Sequence, residues 1–536
     1  MPLNSRRTWR GMAGVLPIAL LTLIPLGVVI GLALTPQPEI WQHLWAYVLP
    51  RVILNTAVLM ALVTVGVLLV GVPLAWLTTM YEFPGRRIFA WALVLPLAFP
   101  AYVLAFVQMG LLEFSGPVQT AIRAVFGSSH WFPQARGSLW GLTIALVCAF
   151  YPYIYLLSRS AFLTQGSRAV EAAQSLGHSA TGAVLHVAIP MARPWIMAGL
   201  ALVLMEVLAD FGAVTVFNID TFTTALYKAW FDLHNLGAAA QLAALLVLIV
   251  LLLIAAEQRS RQAQRYQAAA SRQSRMVLHG RSRWVAFGAC ASVLAVAFII
   301  PIVQIIAWSL SVWREDLDAR YWGFTWNTLQ LALATASVTT VLALLLSWLR
   351  RLHSDAGTTW LVRLAVVGYA IPGVVLAIGV FVPIAWLDDW LLPLLQPFGY
   401  GGLTLFKGTL ATMLLALSAR FLAVAYQATD SAMQRISRTQ EDACASLGLT
   451  TGQTLRRLHL PLLRTGLLSG FLMVLVDVMK EMPITLMTRS FGWDTLAVRV
   501  FQLTSESLWD QAALPALAIV LVGLLPVAIL VAKTER

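Results

Sequence analysis

Charge is scarce in this chain. Only 11% of its 536 residues are charged while 59% are hydrophobic, whereas a soluble domain carries about 25% charged residues. That shortage excludes an ordinary soluble globule and selects the membrane class. Lysine is almost missing, with only Lys228, Lys407, Lys480 and Lys533. None follows a glycine, so no Gly-Lys-Ser/Thr loop exists to cradle ATP phosphates. The HExxH and GxSxG patterns are also missing, so zinc-protease and serine-hydrolase chemistry have no support and no catalytic residue is assigned. The three cysteines, Cys148, Cys290 and Cys444, lie far apart, and no pair has metal or redox spacing. The net charge is +12. However, no aromatic-plus-basic cluster suited to stacking bases accompanies it, so nucleic acid is not an expected partner.

Long apolar runs are what the chain has in abundance. A bilayer core of about 30 Å needs about 20 apolar residues in a helix. Such runs occur near 12–34, 52–79, 88–111, 138–162, 195–217 and 236–256, and again near 284–310, 327–349, 363–386, 408–429, 465–488 and 512–532. They are continuous rather than alternating, which points to helices and not a barrel. The first run follows Arg6, Arg7 and Arg10, as a signal peptide would. It is too long for a signal core and lacks a small-residue cleavage site, so a retained helix is expected. The expected fold is therefore all-α, with about twelve transmembrane helices.

Arginine sets the orientation. With the N-terminus in the cytosol, the inner segments hold Arg86, Arg87, Arg159, Arg168, Arg350, Arg351, Arg435, Arg438, Arg456, Arg457 and Arg464. The outer loops are poorer in arginine, as the positive-inside rule requires. An even helix count returns the C-terminus to the cytosol. The polar stretch 257–283, rich in arginine, reads as a cytosolic linker that can touch anionic lipid.

The chain repeats itself across that linker. VEAAQSLG at 170–177 parallels EDACASLG at 441–448, and one offset of 271 also aligns Pro190 with Pro461, Arg193 with Arg464 and Gly199 with Gly470. The same offset pairs Glu206 with Asp477 and Asp210 with Glu481, and an offset of 272 pairs Asn55-Thr56 with Asn327-Thr328 and Pro100 with Pro372. Apolar composition alone would not preserve polar and proline matches at near-constant spacing. The expected division is a first repeat over 1–256, the linker 257–283 and a second repeat over 284–536. Six helices per half make the repeats parallel, related by a pseudo-two-fold axis along the membrane normal, with a substrate path between the halves.

Both repeats place a cytosolic segment between their fourth and fifth runs, at 168–194 and 438–465. Each reads as a short helix, a glycine turn at Gly177 or Gly448, a second short helix, and a stop at Pro190 or Pro461. Glu171-Ala172-Ala173, Gly177, Val187, Ile189 and Pro190 resemble the EAA motif of permeases of binding-protein-dependent ABC importers. The second copy reads Asp442-Ala443-Cys444, Gly448, Leu458, Leu460 and Pro461, departing at Asp and Cys. The resemblance implies a type I ABC importer permease (MetI-like) fold. It also implies that Glu171, Ala172, Ala173, Gly177, Pro190, Asp442, Ala443, Gly448 and Pro461 couple to ATPase subunits.

Segments 208–231, 477–505 and 512–530 are similar to ferric-iron permeases of that family. The similarity implies iron(III) as cargo, with thiamine, phosphonate, sulfate or polyamine as alternatives. It further implies a cytosolic ATPase homodimer that carries ATP-Mg, a periplasmic or lipid-anchored substrate-binding protein, and one fused permease chain per transporter in a bacterial inner membrane. No cofactor is implied in this chain.

Glu206 and Asp210 lie four apart on one helix face, and Asp477 and Glu481 repeat them. A charge near the bilayer centre costs about 2.5–3.5 kcal/mol on insertion scales. These four acids therefore either line a cation-tolerant pathway or fix packing through interhelical hydrogen bonds. Lys480 can neutralise one of the second pair. Tyr151, Tyr153 and Tyr155 are read as packing residues, and no metal site is assigned. A secondary transporter with two six-helix halves remains a rival reading, although it would leave the paired loops unexplained. A membrane enzyme would need a reactive constellation that the sequence does not offer.

Overall fold

The computed structural model describes residues 2–35, 38–262, 275–398, 402 and 404–534. Linker residues 263–274 and the terminal Arg536 lie outside them. Among the described residues, twelve helices are long and apolar enough to cross a membrane. They are α1 (Gly11–Ala33), α2 (Pro38–Met80), α3 (Ala101–Phe126), α4 (Leu139–Thr164), α5 (Val184–Ala209), α6 (Leu236–Ala256), α7 (Arg281–Asp316), α8 (Ala319–Leu352), α9 (Gly373–Phe398), α10 (Leu410–Met433), α11 (Thr451–Lys480) and α12 (Trp509–Ala528). The described β-structure is one parallel pairing of Tyr81–Glu82 with Met276–Val277, which lays the end of the linker beside the α2 C-terminus.

Several apolar runs that read as single helices are broken, and at matching places in the two repeats. The run expected at 88–111 is a helix Arg86–Ala92, a tight turn Leu95–Ala98, and then α3 beginning after Pro100. The run expected at 363–386 repeats this with Ala356–Ala365, Val367–Ala370 and α9 after Pro372. Both prolines have extended ψ, at 145° and 140°. A proline can start a helix but cannot donate a hydrogen bond to continue one.

Pro190 and Pro461 do not stop their helices as expected. Each lies at the start of a long helix, preceded without a gap by a wide π-type turn, Val184–Ala188 or Leu455–His459. Two further π-type turns, Leu44–Val48 and Ala295–Ile299, likewise end two residues before a proline, Pro50 and Pro301. Widening the turn moves the carbonyl that the proline ring would strike and removes the need for its missing N–H. The helix therefore passes through the proline instead of ending there.

Packing groups the helices into two compact units that do not follow the two sequence halves. One unit joins Met1–Gln37 and Ala229–Ala244 to Leu317–Arg499, so α1 packs with helices of the second repeat. There Thr22 Oγ1 donates to Ala365 O at 2.9 Å. Gly379 lies so close to Pro25 that a Cβ would meet the Pro25 carbonyl oxygen at 2.6 Å. The other unit joins Pro38–Lys228 to Leu245–Asp316 and Val500–Arg536, so α7 and α12 pack with helices of the first repeat. In it Phe99 meets Phe298 edge-on at 5.5 Å, and Trp509 Nε1 donates to Glu113 Oε2 at 2.7 Å.

The repeated Asn-Thr pair has a structural reason. Asn55 Nδ2 donates to Asp220 O at 3.0 Å, and Asn327 Nδ2 donates to Asp494 O at 3.1 Å. Each asparagine thus pins, within its own unit, the loop at the far end from the coupling segments. Tyr151 and Tyr155 are buried and donate to Leu93 O at 2.8 Å and Ala90 O at 3.0 Å, which is a packing role.

Candidate functional site

The second hairpin segment, 438–465, is built from local signals. Ser437 caps the helix Arg438–Ser446: its Oγ accepts from Gln440 N at 3.3 Å, while Gln440 Oε1 accepts from Ser437 N at 3.0 Å. This reciprocal box satisfies two N–H groups that the first turn leaves open. Gly448 then takes φ +76°, and Leu449 N closes the turn on Cys444 O at 3.1 Å. Thr450 and Gln453 form a second capping box that opens the run into α11.

The first segment differs. Its leading helix is not separate but continues α4 unbroken as Leu139–Ser175. Gly177 follows with φ +91°, and His178 N bonds to Ala173 O at 3.0 Å. Neither glycine has an atom within 4 Å of a built Cβ, so the left-handed backbone alone demands glycine there. Glu171 and Ala172 lie in this helix, and their side chains are outside the described residues. Ala173 is buried, whereas Pro190 and Pro461 are exposed.

In the second segment the neighbouring acids divide. Asp442 and Ala443 are exposed, but Glu441 turns inward. Its Oε1 lies 2.9 Å from Arg351 Nε and 3.0 Å from His459 Nε2. Partial burial works against ionisation of Glu441, yet the hydrogen bonds and charges of Arg351 and His459 outweigh it and hold the carboxyl below its usual range. Motif alignment drew attention to Asp442 and missed Glu441. The missed signal was an arginine closing α8, adjacent to a second arginine.

Beside the two glycines stand two leucines also passed over in sequence. Leu176 and Leu447 align at the offset of 271 and are 84% and 80% exposed. A large apolar side chain is thus exposed beside the glycine turn in both copies.

Within the membrane region, α5 and α11 each end at an acid. The chain unwinds at Asp210 and at Glu481, with ψ 127° and 126°. Asp210 Oδ1 accepts from Val214 N at 3.1 Å and so holds the short helix Gly212–Val216. Glu481 accepts from Ile484 N at 2.9 Å and Thr485 N at 3.2 Å, holding Pro483–Thr488. These two acids accept from N–H groups at the start of short helices, which those helices cannot satisfy themselves. Glu206 and Asp477 sit one turn earlier on the same helices and are half-buried. In the second repeat Arg420, in the middle of α10, approaches Glu481 Oε1 at 3.9 Å. Gly373 makes room for it, since a Cβ there would strike the guanidinium. Arg420 was not singled out in sequence because Ala149 stands at its place in the first repeat.

The arrangement thus has two hairpins with left-handed glycine turns and two helix breaks at acids, repeated at one sequence offset. Residues 68–265 and 339–536 each match the family described as binding-protein-dependent transport system inner membrane component. A Haemophilus influenzae protein named Fe(3+)-transport system permease protein FbpB 2 is 27% identical over 490 residues, covering 89% of this chain and 88% of the relative. A protein of Haloferax volcanii, named as a probable molybdenum ABC transporter permease protein, is 30% identical over 208 residues, covering 38% of this chain and 73% of the relative. With both repeats matched, this chain belongs to the family of binding-protein-dependent transport system inner membrane components.

Proposed function

We propose that this chain is the membrane-spanning permease of an ATP-driven importer that carries iron(III) handed over by a substrate-binding protein. The observation that carries the cargo is the span of likeness. The relative named for Fe(3+) transport aligns through both repeats and nearly its whole length, whereas the molybdenum relative aligns over little more than a third of this chain. On this reading the halves 1–256 and 284–536 are duplicated permease units in a bacterial inner membrane, with both termini cytosolic. An ATPase dimer hydrolyses ATP and docks on the two hairpins. Glu171, Ala172, Ala173, Gly177, Pro190, Asp442, Ala443, Gly448 and Pro461 shape those hairpins, and Leu176 and Leu447 fill the grooves.

The proposed cation route runs past the acids of α5 and α11, Glu206 with Asp210 and Asp477 with Glu481. An oxygen-rich break in a helix suits a hard trivalent cation better than an intact apolar helix does. The test is uptake of labelled iron(III) into cells that rely on this transporter, with molybdate, sulfate and 2-aminoethylphosphonate as competitors. Iron uptake that the oxyanions do not suppress is expected. Glu206→Gln with Asp210→Asn should lower it at unchanged membrane protein level. Uptake of an oxyanion in place of iron would sink the cargo assignment.

A further inference from the structure

The two coupling hairpins are alike in sequence and differ in what holds them. In the second, the leading helix Arg438–Ser446 is separated from α10 by residues 434–437. Glu441 replaces the lost continuity. Its Oε1 accepts from Arg351 Nε at 2.9 Å and meets His459 Nε2 at 3.0 Å. Arg351 also donates to Ile436 O at 2.8 Å, within the separating stretch. Arg351 closes α8 and His459 lies in the wide turn inside α11, where it is only 3% exposed. One carboxylate therefore ties the hairpin to two membrane helices.

The clamp residues have no charged counterparts at the aligned positions of the first repeat. The repeat offsets place Thr79, Val170 and Ala188 at the positions of Arg351, Glu441 and His459, and none of them can carry charge. The Thr79 hydroxyl is already used, donating to Ala75 O at 2.6 Å. A neighbouring tie follows the same pattern. Arg350 bonds to Tyr426 at 2.7 Å and Asp430 at 3.0 Å, while the first repeat has Thr78 meeting Tyr155 at 3.1 Å with Arg159 in the place of Asp430. What the first hairpin has instead is the unbroken helix from α4.

We infer that the two hairpins are inequivalent levers: the first moves with α4 through helix continuity, and the second moves with α8 and α11 through the Glu441 clamp. This rests on the reading of the hairpins as ATPase docking points. Glu441 is then a positioning residue, since it holds the docking surface and does not form it. A helix resists bending along its hydrogen-bonded axis, so a push on Leu176 travels into α4. A carboxylate shared by donors on two helices resists separation from both, so a push on Leu447 travels into α8 and α11.

The test uses the complete transporter in liposomes, with substrate moved per ATP hydrolysed as the readout. That ratio does not depend on how much protein has folded. E441Q should lower it roughly threefold or more, R351Q should lower it at least as much because it also removes the bond to Ile436 O, and the double variant should fall short of the product of the two single effects, because one interaction is shared. V170Q, the equivalent position in the first repeat, should leave it unchanged. Proline reverses the pattern. Ser167→Pro breaks the continuous helix and should uncouple, whereas Arg438→Pro, at the aligned position, falls at the first turn of a separate helix and should be tolerated. If a variant does not assemble, amide exchange over 438–446 in the permease alone reads the clamp, and E441Q should accelerate it. A parental ratio in E441Q, unchanged exchange over 438–446, or equal damage from the two prolines would overturn the inference. If the parental complex hydrolyses ATP without moving substrate, the coupling reading itself fails, and that outcome is visible before any variant is made.

Discussion

Glu441 shows how one carboxylate can depend on its neighbours for both charge and position. Its three charged or titratable neighbours are Arg351, His459 and, at 3.7 Å, Arg438. Because its folded pKa lies below its ordinary value of 4.5, the clamp stabilises the fold fully above the unfolded pKa. That stabilisation is lost as pH falls through the lower, folded pKa. Thermal unfolding of the parental protein and of E441Q should therefore differ at pH 7 and converge as the pH drops below about 4.5. A gap that stays constant down to pH 3 would mean that the bond network, and not the charge, carries the effect. Arg420 poses a similar problem inside the bilayer. Its place near Glu481 is paid for by Gly373, whose missing side chain leaves the guanidinium its space.

At the scale of the element, the hairpin turns separate two demands that are often merged. Gly177 and Gly448 have positive φ but open surroundings. Backbone conformation, not space, is the requirement. Asparagine tolerates the left-handed region and valine does not. Gly448→Asn should keep ATP-coupled uptake, while Gly448→Val should lose it, at a local cost of about 1–2 kcal/mol. Uptake and membrane level measured together decide the matter, and equal behaviour of the two variants would show that the turn is not needed as folded. Pattern reading foresaw these turns, because glycine at this spacing says little else. It did not foresee that the following prolines stay inside their helices. Proline breaks the hydrogen-bond ladder of a regular helix, but a preceding π-type turn absorbs that cost, and nothing in a run such as Leu455–His459 announces the wider turn.

For the whole molecule, the first question is which ends of the helices face the cytosol. Cysteines placed at Gly182 and Gln453 should label from the cytosolic side and stay protected from a membrane-impermeant reagent in intact cells. Cys148 and Cys290 are buried, so they need no replacement, but the half-buried Cys444 does. Labelling of either new site from outside intact cells would reverse the orientation read from arginine. The second feature at this scale is the exchange of helices between sequence halves, with α1 joining second-repeat helices and α7 joining first-repeat helices.

Twelve spans, two repeats, two hairpins and their glycine turns were determined by the sequence alone. Each is written locally, in an apolar run long enough for a bilayer, in arginine at its ends, or in a motif that recurs at a near-constant offset. What only the tertiary structure decided is which helix lies beside which. Lipid-facing helices share one apolar code, so their sequences say that they are buried in lipid without naming a neighbour. Small residues set the close approaches, as where Gly379 meets Pro25. The pairing of Arg351 with Glu441 spans 90 residues, and that of Thr22 with Ala365 spans 343. The acids at 206, 210, 477 and 481 were visible as costly charges, but the breaks held by Asp210 and Glu481 were not. An isolated apolar run reads as one helix until the fold supplies a partner for the backbone groups that a break sets free.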